Sequence, residues 1–235
     1  MSFYPADLAN IHDQGFGEFA RAAACEVLRR LPPAGLVVEL GCGSGISTQI
    51  LSDAGYDVVG VDLSADMLEI ARRRAPRAEL RRESIWTAEL PRCVGATAIG
   101  EVLNYTVDDS AGAERLPELC ARVHEALMPG GVFMFDFATP GRGTLRPGGP
   151  HVREGAGWRI ESEAVEDPAT RTLERRMTID GGDCQRKEIH RLRLYDRKLV
   201  QECLEGAGFR SEALTGYCDF DFWPGYAAFA AIKPG

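Results

Sequence analysis

Val37-Val38-Glu39-Leu40-Gly41-Cys42-Gly43-Ser44-Gly45 is the stretch that decides how this chain is read. An apolar run starting at Leu36 passes straight into three glycines at alternate positions, and residues 45–54 then carry a helical pattern. A strand that turns so tightly into a helix lets a ligand lie against bare backbone, because glycine has no side chain and tolerates positive φ. A second apolar strand, residues 57–61, runs up to Asp62. A carboxylate at that point accepts hydrogen bonds from both hydroxyls of a ribose, so the pattern predicts a nucleoside site.

Spacing narrows the nucleoside. A dinucleotide fingerprint reads G-x-G-x-x-G, but here Ile46 stands where its third glycine belongs. No P-loop lysine follows, and no basic residue occurs between Gly35 and Asp62. A diphosphate would meet only a helix N-terminus. Glu39 instead puts a negative charge at the head of the turn, which suits a ligand carrying a positive amino group and a sulfonium.

Outward from the turn the chain alternates. Residues 16–31 place Phe16, Phe19, Ala23, Val27 and Leu31 at helical spacing before Pro32 and Pro33 stop the helix. Ser64 is a good N-cap for a helix through Arg74, with Asp66 near its positive end. Strands are expected at 78–82, 96–101 and 132–135, with a helix over 111–128 closed by Pro129-Gly130-Gly131. Strand–helix alternation with right-handed crossovers predicts an α/β fold with a doubly wound, mostly parallel sheet. After Phe137 the pattern breaks. Residues 139–157 read as a loop, and 158–165, 172–179 and 186–195 alternate with period two around turn residues, an inserted antiparallel meander. A helix over 196–207 and closing strands at 209–214 and 226–233 bring the main sheet to seven strands.

Composition sets the outer limits. Twenty-seven Lys+Arg against 35 Asp+Glu give a net charge of −8, a poor match to nucleic acid or an anionic membrane surface. No apolar run approaches the roughly 20 residues of a membrane span, and the N-terminus lacks a secretory pattern. The seven cysteines are scattered without C-x-x-C spacing and the four histidines are isolated, so reduced thiols, a cytoplasmic setting and no metal site are expected.

At the glycine turn the chain resembles the class I S-adenosylmethionine-dependent methyltransferases, small-molecule type. Glu39 to Gly45 followed by Val58-Val59-Gly60-Val61-Asp62-Leu63-Ser64 carries the likeness, extended by Leu127-Met128-Pro129-Gly130-Gly131 and Gly206-Ala207-Gly208-Phe209. The resemblance implies a Rossmann-like methyltransferase fold with a core of residues 16–138 and 196–235. It implies S-adenosyl-L-methionine as cofactor, S-adenosyl-L-homocysteine as product, and methyl transfer to an O, N or C atom of a small-molecule acceptor. Gly41, Cys42, Gly43 and Gly45 would pass backbone around the methionyl part and Glu39 would hold its ammonium. Asp62 would bind the ribose, with Leu63 and Met67 near the adenine. Ser84 and Ile85 stand where the family often has an aspartate and an apolar residue; the aspartate is missing here. Glu101 follows the fourth strand as a further cofactor contact, with Asn104 and Tyr105 as candidate catalytic residues where methyl group and acceptor meet. Residues 1–15 would form a lid, with Tyr4 against the cofactor, His12 as a candidate general base and Phe16 beside the acceptor.

Residues 139–195 are expected to cap the acceptor. Alternation puts His190, Leu192 and Leu194 on one face of the last meander strand and Arg191 and Arg193 on the other. Whichever face looks inward supplies acceptor contacts, so His190, Arg191 and Arg193 are candidates, and an inward arginine implies an anionic acceptor. Cys42 has no evident base partner and reads as a small residue that fits the turn. A protein or RNA acceptor, or a non-catalytic cofactor-binding protein, are the alternatives.

Overall fold

Alternating strand and helix signals fold as a layered α/β unit in the computed structural model, which describes residues 11, 15, 17–108, 111–143, 151–155, 157–181 and 185–235. Helix α1 (Gly17–Leu28) leads into β1 (Leu36–Leu40), α2 (Ile46–Asp53), β2 (Asp57–Asp62), α3 (Ala65–Arg74), β3 (Glu79–Arg82) and β4 (Cys93–Ala98). A short turn at 113–115 precedes α4 (Leu116–Ala126), and β5 (Leu127–Ala138) follows. Then come β6 (His151–Gly155), β7 (Trp158–Asp167), β8 (Thr172–Asp180) and β9 (Gln185–Arg193). The chain closes with α5 (Arg197–Gly206), β10 (Arg210–Leu214), a small hairpin of β11 (Gly216–Tyr217) and β12 (Phe220–Asp221), and β13 (Tyr226–Ile232).

The main sheet has seven strands in the order β10-β13-β5-β4-β1-β2-β3. Neighbours run parallel except at β13, which is antiparallel to both β5 and β10. Period-two alternation along β5 sends Phe133, Phe135 and Phe137 to one core with Leu119 and Leu204, and Met134 to the other with Phe19, Val37 and Leu51. Each such fully buried side chain contributes about 1.5–3 kcal/mol, so helices are held on both faces. The four strands β6-β7-β8-β9 form a separate antiparallel sheet.

Three boundaries differ from expectation for local reasons. The fourth strand stops at Ala98 because Gly100 and Glu101 take positive φ and give their amides to the Asp136 carboxylate, not to a ladder. Leu127 to Gly131 joins β5 instead of α4, through a register shift opposite Cys93 and Gly95. Lys233 caps the released carbonyls of His124 and Leu127 at 2.7 and 2.8 Å. Strand β6 lies in the stretch read as a loop; all five of its residues are exposed, so no alternation betrays it. Among the described residues no helix is long and apolar enough to cross a membrane.

Candidate functional site

Strand β1 lies between β2 and β4, where the winding of the sheet reverses, the position at which open α/β sheets leave a crevice. A cleft of about 260 Å3 opens there, lined by the glycine turn, the ends of β2 and β4, Phe19 and Ala20 of α1, and residues of β6, β7 and β8.

The amides of Gly41 and Cys42 both donate to the Val61 carbonyl, at 2.8 and 3.0 Å, so the turn is folded back on β2. Its three glycines do different work. A Cβ on Gly41 (φ 78°) would stand 2.6 Å from Val102, and one on Gly45 (φ 79°) 2.9 Å from Ala71. These two are required by packing. Gly43 (φ 55°) lines the cleft and a Cβ there would meet nothing within 4 Å. That leaves an open cradle of backbone facing the cleft.

Asp62 also faces the cleft, and its two oxygens accept from the amides of Gly43 (2.9 Å) and Ser64 (2.8 Å). Burial pushes its carboxyl up, against those amides, which pull it down. Leu63, Met67, Ile85 and Trp86 supply apolar wall beside it. Glu39 is buried behind the turn, holds the Thr48 hydroxyl and does not line the cleft; burial pushes its carboxyl up. Cys42 lies against Gly60, and burial, then the Asp62 and Glu39 charges, push its thiol far up. It is a packing residue.

Ser84 does not line the cleft, but its hydroxyl donates to Asp108, which does. A carboxylate from beyond β4 thus reaches the end of the third strand, with nothing in local sequence to announce it.

Glu101 is the electrostatic centre. It is 5% exposed, in left-handed conformation (φ 59°), and lines the cleft. Its carboxylate receives Arg142 Nε and Arg175 Nη2, each at 2.6 Å. Burial alone would raise its pKa, but Arg175 and Arg142 reverse this and hold it at about 2. Asp136 fixes the strained backbone from below. It accepts from Gly100 (2.9 Å), Glu101 (2.6 Å), Tyr217 (3.0 Å) and Tyr226 (2.7 Å), and burial lifts its carboxyl to about 6. The Arg142 guanidinium also lies over the rings of Tyr226 and Trp223, 5.3 and 5.8 Å from their centroids.

The meander face is resolved by register. Arg175 lies opposite His190 and Glu174 opposite Arg191, so Arg175 and His190 share the inner face. His190 is buried beside Glu188 (3.2 Å) and the Tyr105 ring, and does not line the cleft. Arg191 and Arg193 are exposed on the outer face, Arg191 paired with Glu174. The inner cations are Arg175 and Arg153, which lay only in a general basic excess or in a supposed loop. Tyr105 lines the cleft and its hydroxyl accepts from Arg175 at 3.3 Å. Asn104 is buried and spends its amide on backbone, bonding Ala138 and the Arg193 carbonyl. It clasps β5 to β9 and does not line the cleft. Tyr4, His12 and Phe16 lie outside the described residues. Among the described residues no cluster of metal-ligating side chains occurs.

Residues 37–131 match the family model described as a methyltransferase domain. The chain is 30% identical over 232 residues to the dTDP-3-amino-3,6-dideoxy-alpha-D-glucopyranose N,N-dimethyltransferase of Streptomyces fradiae, covering 91% of this chain and 88% of the relative. It is 35% identical over 159 residues to the trans-aconitate 2-methyltransferase of Paracidovorax citrulli, covering 62% of this chain and 55% of that protein. The fold is shared with an S-adenosylmethionine-dependent methyltransferase from Clostridium acetobutylicum, TM-score 0.78 at 17% identity, covering 97% and 98% of the two chains.

Proposed function

The chain belongs to the S-adenosylmethionine-dependent methyltransferases, and from that premise we propose that its acceptor is an amino group on a small, negatively charged sugar derivative. The observation that carries this reading is the likeness to the Streptomyces fradiae enzyme along nearly the whole of both chains, meander included. The trans-aconitate enzyme shares only about half its own length.

The cleft residues support both halves of the reaction. Gly43, Asp62, Leu63 and Met67 would hold the cofactor, with the Asp62 carboxylate on the ribose and Asp108 at the adenine end. When bound, the cofactor supplies an electrophilic sulfonium methyl group. The chain's own task is then alignment and charge. Tyr105 and Trp158 give the cleft aromatic wall for a sugar ring, and Arg153 and Arg175 offer positive charge to an anionic group. Glu101 stays ionised and far too weak a base to take a proton from an ammonium near neutral pH; its role is to hold Arg142 and Arg175 in place at the cleft. On the meander's outer face Arg176 and Arg191 pair with Glu174, and Arg159 with Glu161, so the basic excess is largely neutralised there. That favours a small acceptor over RNA. Residues 1–15 as lid, 139–195 as acceptor cap and a cytoplasmic setting belong to the same proposal.

The test is methyl transfer across an acceptor panel followed by mass spectrometry. A nucleotide-linked amino sugar should gain one or two methyl groups; methylation confined to carboxylates would overturn the reading. Calorimetry on Asp62→Ala should show cofactor affinity reduced roughly ten- to a hundredfold, from a lost charge-assisted contact of about 1.5–3 kcal/mol.

A further inference from the structure

Cys25 and Cys218 are far apart in sequence, yet the fold sets their Sγ atoms 2.9 Å apart, inside the contact distance of two non-bonded sulfurs. Cys25 sits on the exposed side of α1, and Cys218 sits in the turn between β11 and β12 with φ 48°. The hairpin is seated on α1 by further contacts. The Cys218 amide donates to Glu26 at 3.3 Å, and Phe19 packs against Tyr217 and Phe220 with centroids 5.5 and 5.3 Å apart. These same elements back the cleft, since Phe19 lines it and Tyr217 holds Asp136.

We propose that Cys25 and Cys218 form an oxidisable thiol pair that a peroxide converts to an intramolecular disulfide, stapling α1 to the β11–β12 hairpin behind the cleft. The sulfurs need to close by less than an ångström, so the rest of the site stays in place. The chemistry balances with hydrogen peroxide as the two-electron oxidant. The Cys25 thiolate attacks one peroxide oxygen, the O–O bond breaks, and a sulfenic acid and hydroxide result. Hydroxide takes the Cys218 proton and becomes the first water, the Cys218 sulfur attacks the sulfenyl sulfur, and the S–O bond breaks to expel a second hydroxide, which takes up the proton that Cys25 lost on ionising and becomes the second water. Two thiols and one peroxide become one disulfide and two waters. Cys25 is the residue oxidised first because it is exposed, whereas burial pushes the Cys218 thiol up to about 11. Among the described residues the competitors are poor: Cys93, Cys120 and Cys203 are buried, and the Cys42 thiol is pushed far up.

Cross-linking residues this distant removes much chain entropy from the unfolded state, so the oxidised protein should melt about 5–10 °C higher. The full chain is treated with hydrogen peroxide, and its intact mass, non-reducing peptide map and melting temperature are measured. The expected result is loss of two hydrogen atoms, a Cys25–Cys218 cross-linked peptide, and a rise in melting temperature that dithiothreitol reverses. Cys25→Ser, an exposed change that leaves the fold alone, should abolish all three, and Cys218→Ala should do the same. An unchanged mass, oxygen adducts without a cross-link, a bond mapping to another cysteine, or a melting rise that survives in Cys25→Ser would overturn the proposal.

Discussion

Asp62 carries two duties on one carboxylate. Its hydrogen bonds to Gly43 and Ser64 shape the turn, and its cleft-facing side is the part a ribose would meet, so its loss should register in stability as well as in affinity. The glycines beside it separate the two effects. Gly43→Ala puts a methyl group into open cleft and costs only the left-handed penalty of about 1–2 kcal/mol, while cofactor affinity should drop tenfold or more. Gly41→Ala drives a methyl group into Val102 and should cost about 3 kcal/mol of stability. Melting curves and cofactor titrations on both variants check this; equal affinity losses per folded molecule would mean that Gly43 has no special relation to the ligand.

Between β8 and β9, register decides which arginines matter. Arg175 bridges to Glu101 from the inner face, and Arg191 pairs with Glu174 on the outer face. Arg175→Ala should raise the acceptor KM at least tenfold, whereas Arg191→Ala should leave KM unchanged and shift stability by no more than about 0.5 kcal/mol. Steady-state kinetics on the two variants makes the comparison. The glycine turn, Asp62, the Ser64 cap and the order of the main sheet's strands and helices were legible beforehand, because each rests on local chemistry or on periodicity; β6 and the β11–β12 hairpin were not. Alternation also paired His190 with Leu192, but could not say which face looks inward, since that depends on how one sheet sits on another. Arg142, Asp136 and Asp108 were missed as site residues for the same reason: their partners lie 24 to 90 residues away, beyond the reach of any short motif.

Over the whole molecule, three buried groups set opposing pH responses. Burial first, then the Arg175 charge, lowers His190 to about 4 despite nearby Glu188. Unfolded histidine therefore gains its proton first, and stability is lost as pH falls from about 6.5 to 4. Asp136, held near 6 by burial, takes its proton in the folded state first, so over nearly the same range it adds stability on acidification. Glu101, held near 2, contributes stability above about 4.5 that is lost only in stronger acid. The first two contributions, each of order 3 kcal/mol, should largely cancel. Melting temperatures between pH 7 and 4.5 should therefore fall more steeply in Asp136→Asn than in wild type, and less steeply in His190→Gln. Parallel curves for all three proteins would show that neither group titrates in this way.

The placement of β13 has a consequence for the order of events at the ribosome. This strand fills the gap between β5 and β10, joining residues 132–138 to residues 226–232. Strands β1 to β5 can each find a neighbour as they are made, but β10 has no partner, and β5 keeps a bare apolar edge, until β13 follows nearly a hundred residues after β5. Tyr226, the first residue of β13, also grips Asp136, which in turn holds Glu101. Sheet completion and cleft assembly therefore coincide in one late step of synthesis. A nascent chain halted before that strand emerges would have an aggregation-prone edge and an unfinished site.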